Sequence, residues 1–272
     1  MTNSEDSRNF EDSPDYVQSL VRGLAVLRAF DGDQQRMSLA AVATRTGLSR
    51  AAARRLVLTL QHLGYVRADG KEFSLTPRVL ELGFGFVGSL KLGDVAQPLM
   101  EDLSRRVGES CSMAVLDGQS IVYVARVPVR KVMTVSLGVG ARLPAFCSSM
   151  GRVLLSGLSD AELSAWLSAC QPTFHTAHTI TDRDRLLQLI KEVRSTGFAY
   201  VEQELELGLC SVAVPIRNRQ GQVAAALNVG MRFHADARSR VHEVLVPALS
   251  DTAEALERCI PPEWLPSVSE SA

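Results

Sequence analysis

At 272 residues, 46% hydrophobic and 22% charged, the chain is long enough for two domains and too apolar for wholesale disorder. Its formal charge of −1 hides an asymmetry, because residues 15–78 hold ten Lys and Arg against five acids while residues 79–272 hold eighteen against twenty-one. That division fits a small polyanion-binding module joined to a mildly acidic unit.

In chain order, residues 1–14 and 261–272 have little apolar content and are expected to be tails. Val17, Leu20, Val21, Leu24, Leu27 and Phe30 recur three and four apart, which predicts a helix with one apolar face, ending at Asp31-Gly32. Ser38 is placed to cap a short helix with Leu39, Val42 and Ala43 inward and Gly47 behind it. Ser49 caps a third helix, whose predicted buried stripe is Ala52, Leu56, Leu60 and Leu63, with Gly64 as its stop. Residues 65–67 and 72–75 flank Asp69-Gly70 as a hairpin. Residues 79–93 form a predicted linker helix, weakened by Gly83, Gly85 and Gly88.

From residue 94 the pattern is mixed. A helix over 94–107 is followed by strands at 111–116 and 121–127 around Asp117-Gly118, and by another strand at 132–137. Helices are expected near 148–156, 159–169 and 182–196, the last stopped by Gly197. Strands follow at 198–201, 211–217 and 223–231. Asp236 opens a final helix with Val241, Val244, Leu245, Leu249, Ala253 and Leu256 inward, in which Pro247 predicts a kink or break. Hairpin-linked strands between helices give an α+β domain, over 94–260, around an antiparallel sheet.

Five scattered cysteines without a C-x-x-C pair argue against a disulfide framework, and the start is acidic where a signal peptide is basic. No apolar run approaches the ~20 residues of a membrane span. A cytoplasmic protein with no membrane partner is the expectation.

Short helix, tight turn, second helix and hairpin is the layout of a winged helix-turn-helix, over 15–78. With the stripe above facing inward, Arg50, Arg54 and Gln61 project outward and Arg55 lies at the edge, as donors for guanine edges or phosphates. Ser49 and the free N–H groups of the first turn suit a phosphate. Ala51 and Ala52 allow close approach to a groove, and Arg67 and Lys71 on the wing reach flanking phosphates. The alternatives are a solvated basic helix or a protein-interaction module, which salt dependence separates from DNA binding.

Four runs carry a family resemblance: VQSLVRGLAVLRAF (17–30), LAAVATRTGLSRAAARRLVLTLQHLGYV (39–66), LPAFCSSMGRVLLSGLS (143–159) and GLCSVAVPIRNRQGQVAAALNVG (208–230). Together they resemble the isocitrate-lyase-regulator (IclR) family of bacterial transcription factors. Within it they are most similar to the subgroup controlling protocatechuate and 4-hydroxybenzoate breakdown through the β-ketoadipate pathway. The resemblance implies a winged helix-turn-helix, a linker helix and a GAF-like effector-binding domain. It also implies homodimers or tetramers on a palindromic double-stranded DNA operator, and a small carboxylate effector such as protocatechuate or 4-hydroxybenzoate; neither catalysis nor a cofactor is expected of the chain. Activation and repression are both found in the family.

In such proteins the effector sits between the sheet and the loop opening the helix at 148–156. Ser148, Ser149, Met150 and Gly151 begin that helix, so its free N–H groups and dipole can receive a carboxylate. Arg142, just upstream, either adds a bidentate contact or closes a surface loop. Glu204, Ser211 and Asn228 are the further polar candidates. Val201, Leu227 and Val229 stand where relatives that bind small keto-acids have polar contacts, an apolar wall better suited to an aromatic acid. Met113 and Met133 are either lining or core. A competing reading makes Cys147 and Cys210 a redox pair in a GAF-like enzyme, and His175 and His178 near Cys170 superficially resemble a zinc site. No Ser/His/Asp arrangement, P-loop or G-x-G-x-x-G is present.

Overall fold

The structure, a computed structural model, describes residues 10–30, 34–82, 92–129 and 138–259. The expected strand at 132–137, Met133, the glycines of the linker and the tail at 261–272 lie outside these residues. The chain divides between Gly85 and Phe86 into two units, each with its own core.

The first unit contains α1 (Gln18–Ala29), β1 (Met37–Ser38), α2 (Leu39–Thr46), α3 (Arg50–His62), β2 (Val66–Asp69) and β3 (Glu72–Leu75). Both expected caps are formed: Ser38 Oγ accepts from the N–H of Ala41 at 3.3 Å, and Ser49 Oγ from that of Ala52 at 3.2 Å. Gly47 ends α2 in the left-handed region at φ +67°, which keeps the turn into α3 tight. The wing has three strands rather than two, in the order β1-β3-β2, because Met37 and Ser38 pair with Phe73 and Glu72.

Two stripes differ from expectation. α3 buries Ala53, Val57 and Leu60, whereas Leu63 is exposed and Ala52 and Leu56 are half-buried. Ala51–Ala53 and Leu56–Leu58 are unbroken small or apolar runs, so either of two stripes fits the helical period. Packing against Val26, Val42 and Phe73 selects the one containing Val57. In α1 only the C-terminal part is buried, through Val26 and Ala29, while Val17, Leu20, Val21 and Leu24 are 40–62% exposed.

Among the described residues, the second unit is a six-stranded antiparallel sheet covered on both faces. Its strands are β4 (Ser110–Asp117), β5 (Ser120–Val127), β6 (Arg142–Pro144), β7 (Ala199–Glu202), β8 (Leu209–Arg217) and β9 (Val223–Arg232), in the order β6-β5-β4-β9-β8-β7. On one face pack α4 (Leu92–Val107), α8 (Ala237–Arg240) and α9 (Val246–Cys259). On the other pack α5 (Ser149–Ser156), α6 (Asp160–Ala169) and α7 (Arg183–Thr196). Between α8 and α9, where Val244 is exposed and not inward as expected, the chain makes a π-helical turn over Val241–Leu245. It takes the place of the expected break: Pro247 has no N–H for the α-helical ladder, and a wider turn relieves the clash of its ring with a preceding carbonyl.

Gly151 serves packing. A Cβ there would lie 2.0 Å from the carbonyl oxygen of Ala145, so α5 crosses that backbone only because residue 151 has no side chain. Gly151→Ala is therefore expected to lower stability by about 1–3 kcal/mol, read as an earlier thermal unfolding midpoint; an unchanged midpoint would contradict the close approach.

Candidate functional site

Two surfaces gather the chemistry. On α3, the residues opposite the buried stripe are Ala51, Arg55, Leu58 and His62, with Arg54, Arg50 and Gln61 flanking them, all exposed. Arg55 thus stands at the centre of the outward face, not at its edge, as a consequence of the one-residue shift of the stripe. Ser49 Oγ is occupied by the N–H of Ala52, and Ser49 O accepts from Ala53, which leaves the N–H groups of Arg50 and Ala51 as the first-turn donors for an anion. On the wing, Arg67 Nε donates to Ser74 Oγ at 3.0 Å and Lys71 is exposed beside the turn. At the same turn Arg36 pairs with Asp69 at 3.0 Å, an exposed ion pair of little energetic weight.

The second surface is a cavity between the sheet and the start of α5. Its floor follows from strand register. Ser112 on β4 pairs with Arg126 on β5 and with Asn228 on β9, which pairs in turn with Ala213 on β8. The next row of the same face runs Ser110, Gly230, Ser211 and Val201. Cys147, Ser148, Ser149 and Met150 close it from the helix side, and Tyr123, Leu143, Leu205 and Leu209 complete the wall. About 60 Å³ is open to the centres of water-sized molecules, enough for several waters or one small compound.

Its electrostatics are specific. Among the described residues, Arg126 is the one basic residue lining it and Glu204 the one acidic residue. Glu204 is already taken: its Oε2 accepts from Arg152 at 2.7 Å and from the N–H of Ile180 at 3.2 Å, with both charged side chains 5% exposed or less. Ser149 Oγ and Ser211 Oγ are 2.9 Å apart and tie α5 to β8. Burial pushes the Tyr123 phenol up to about 12, against the pull of the Arg126 charge. Burial likewise pushes the Cys147 thiol up to about 12, with the Glu204 charge adding to it and Arg152 opposing. The Cys210 thiol is also raised, again chiefly by burial. Glu204 begins a loop pinned from outside, where Thr176 Oγ1 and Thr179 Oγ1 each donate at 2.6 Å to the carbonyls of Gln203 and Glu204.

Ser148, Ser149, Met150, Ser211 and Asn228 thus meet at the cavity as expected, and Glu204 meets them with its carboxylate engaged. Two expected residues do not. Arg142 pairs with Asp117 across the hairpin at the surface, where both side chains are at least half exposed, and it does not line the cavity. Gly151 faces the Ala145 backbone instead. Leu227 and Val229, with Met113, belong to the core on the opposite face, since the immediate neighbours of Asn228 in a strand point away from its face. The cavity floor is accordingly more polar than anticipated. Arg126, Ser110, Ser112 and Tyr123 were missed; the alternation of Ser110 and Ser112 in an apolar strand is the signal that marks that face. Among the described residues no group of three or more His, Cys, Asp or Glu is placed to hold a metal, and no helix is long and apolar enough to cross a membrane.

With this geometry in place, the likenesses to known proteins are informative. The IclR helix-turn-helix domain model matches residues 19–70, and the bacterial transcriptional regulator IclR C-terminal model matches residues 84–258. The chain is 42% identical to the Pca regulon regulatory protein of Pseudomonas putida over 241 residues, 88% of this chain and 83% of that protein. It is 37% identical to the p-hydroxybenzoate hydroxylase transcriptional activator of Acinetobacter baylyi over 251 residues, 90% of this chain and 93% of that one. Among solved structures, an IclR homolog from Microbacterium hydrocarbonoxydans complexed with 4-hydroxybenzoate is similar at a TM-score of 0.77 and 26% identity, covering 89% of this chain and 98% of that chain.

The thiols supply a direct check. Cys111, Cys147, Cys170 and Cys210 are buried and Cys259 is exposed, so near neutral pH a thiol reagent is expected to label Cys259 rapidly and the other four only after unfolding. Fast labelling of Cys147 or Cys210 in the folded protein would restore the redox-enzyme reading.

Proposed function

Because the chain belongs to the IclR family of bacterial transcriptional regulators, we propose that α3 docks it on a palindromic operator and that a small aromatic carboxylate in the cavity under α5 controls its activity. Protocatechuate and 4-hydroxybenzoate are the candidate effectors. The observation that carries the effector reading is the charge balance of the cavity: the acidic group is neutralised by Arg152, so Arg126 gives the space a positive character. An anion is the complementary ligand, and the first-turn N–H groups of α5 favour a carboxylate in the same way. Leu143, Met150, Val201 and Leu205 offer the faces between which a single ring fits. Relatives named for the pca regulon and for p-hydroxybenzoate hydroxylase support the same class of compound.

The role is sensing rather than catalysis, since the cavity thiols are held protonated by burial. The working form is a homodimer or a pair of dimers. Two-fold operator symmetry calls for two recognition helices, and the exposed Leu20, Val21 and Leu24 of α1, with Val17 just before it, form the apolar stripe that a second copy would cover.

Arg55→Ala and Arg54→Ala are each expected to weaken operator binding by about 1–3 kcal/mol where the side chain reads a base, measured by fluorescence anisotropy, and binding should fall steeply as salt rises. Unaltered affinity in both variants would remove α3 from the interface. Arg126→Met should weaken binding of the aromatic acid by about 1.5–3 kcal/mol in calorimetry; equal affinity would move the carboxylate elsewhere.

A further inference from the structure

We propose that Asn228 reads a hydroxyl group on the effector's ring, so that the cavity selects hydroxylated aromatic acids over plain ones. The inference rests on the aromatic-acid reading above and assigns a residue to its specificity.

Asn228 is 7% exposed, and its Oδ1 is buried and meets no hydrogen-bond donor among the described residues. It lines the cavity from the middle of β9, between Ser112 on β4 and Ala213 on β8. A buried carbonyl oxygen accepts hydrogen bonds only, and leaving it empty is costly. A ligand that fits this site therefore brings a donor to it. That donor is neutral, because the lone carboxylate among the described lining residues is committed to Arg152 and the N–H of Ile180. An ammonium would find no free counter-charge there and would face Arg126 across Ser112. An O–H group meets the requirement.

Strand spacing places the hydroxyl. Arg126 and Asn228 are both register partners of Ser112, so their backbones are two strand spacings, about 10 Å, apart. With its carboxylate toward Arg126, a benzene ring reaches Asn228 through a substituent on its far side, at the meta or para position.

The test is calorimetry on the full chain with four probes: benzoate, 4-fluorobenzoate, 3-hydroxybenzoate and 4-hydroxybenzoate. The native protein is expected to bind at least one hydroxybenzoate about tenfold or more tighter than benzoate and 4-fluorobenzoate. In Asn228→Leu that preference should vanish while benzoate binds as well as before or better. Asn228→Ala serves in its place if the leucine variant fails to show a cooperative thermal transition. A folded variant that keeps the hydroxyl preference overturns the assignment, as does a native protein that binds all four acids alike. Failure of the native protein to bind any of the four overturns the aromatic-acid reading itself, and this inference with it.

Discussion

A sheet covered by helices on both faces has no water to lend its polar groups, and the second unit is organised by that constraint. The face under α4 and α9 is filled by apolar side chains from four of the strands. The face under α5, α6 and α7 is equally apolar except where α5 begins. There Ser110, Ser112, Ser211, Asn228 and Arg126 come together across neighbouring strands. Burial of each carries a desolvation cost unless a partner is supplied. Ser211 finds Ser149, and Glu204 finds Arg152. The Asn228 carbonyl oxygen is left without a donor among the described residues, and a concentration of polar groups with one acceptor unfilled is the form that a small-molecule site takes in a packed interior.

The Arg152–Glu204 pair has two effects. It anchors the loop that closes the cavity to the helix beneath it, through a charge-assisted bond with both partners nearly dehydrated. It also removes the negative charge that would otherwise repel a carboxylate. Such a pair contributes little net stability compared with an apolar packing of the same volume, whereas breaking it strands a buried charge. The first unit faces the opposite problem: it keeps arginines out of its core and presents them on one helix face. Using Ala53, Val57 and Leu60 for packing leaves Arg55 at the centre of the outward side, beside the small Ala51, an arrangement suited to a groove with base edges at its floor.

Much of this was legible in the sequence where the chemistry is local. Ser38, Ser49, Gly47, Gly64 and Gly197 mark helix boundaries that the structure places where the capping residues indicate, since each acts on backbone groups within a few residues of itself. Pro247 announced an interruption of the last helix but not its form, because the choice between a kink and a π-turn depends on packing against the sheet. The site was harder to read. Arg126 lies on β5 and Arg142 on the neighbouring β6, and nearness in sequence to α5 favoured Arg142; Asp117, at the turn between β4 and β5, claims it instead. Arg126 reaches the cavity only through the pairing of β5 with β4, a non-local fact. Placing Leu227 and Val229 beside Asn228 overlooked strand alternation, which alone was sufficient to send them to the other core.

The central claim is that the polar floor beneath the start of α5 is where a ring-bearing acid is held. A crystal structure of the full chain grown with 4-hydroxybenzoate tests it most directly. The account expects the ring between Met150 and the Ser112–Asn228 row, its carboxylate turned toward Arg126 and its hydroxyl within hydrogen-bonding distance of Asn228 Oδ1. A ring bound elsewhere in the unit, with Asn228 Oδ1 receiving a donor from the protein itself, would contradict it.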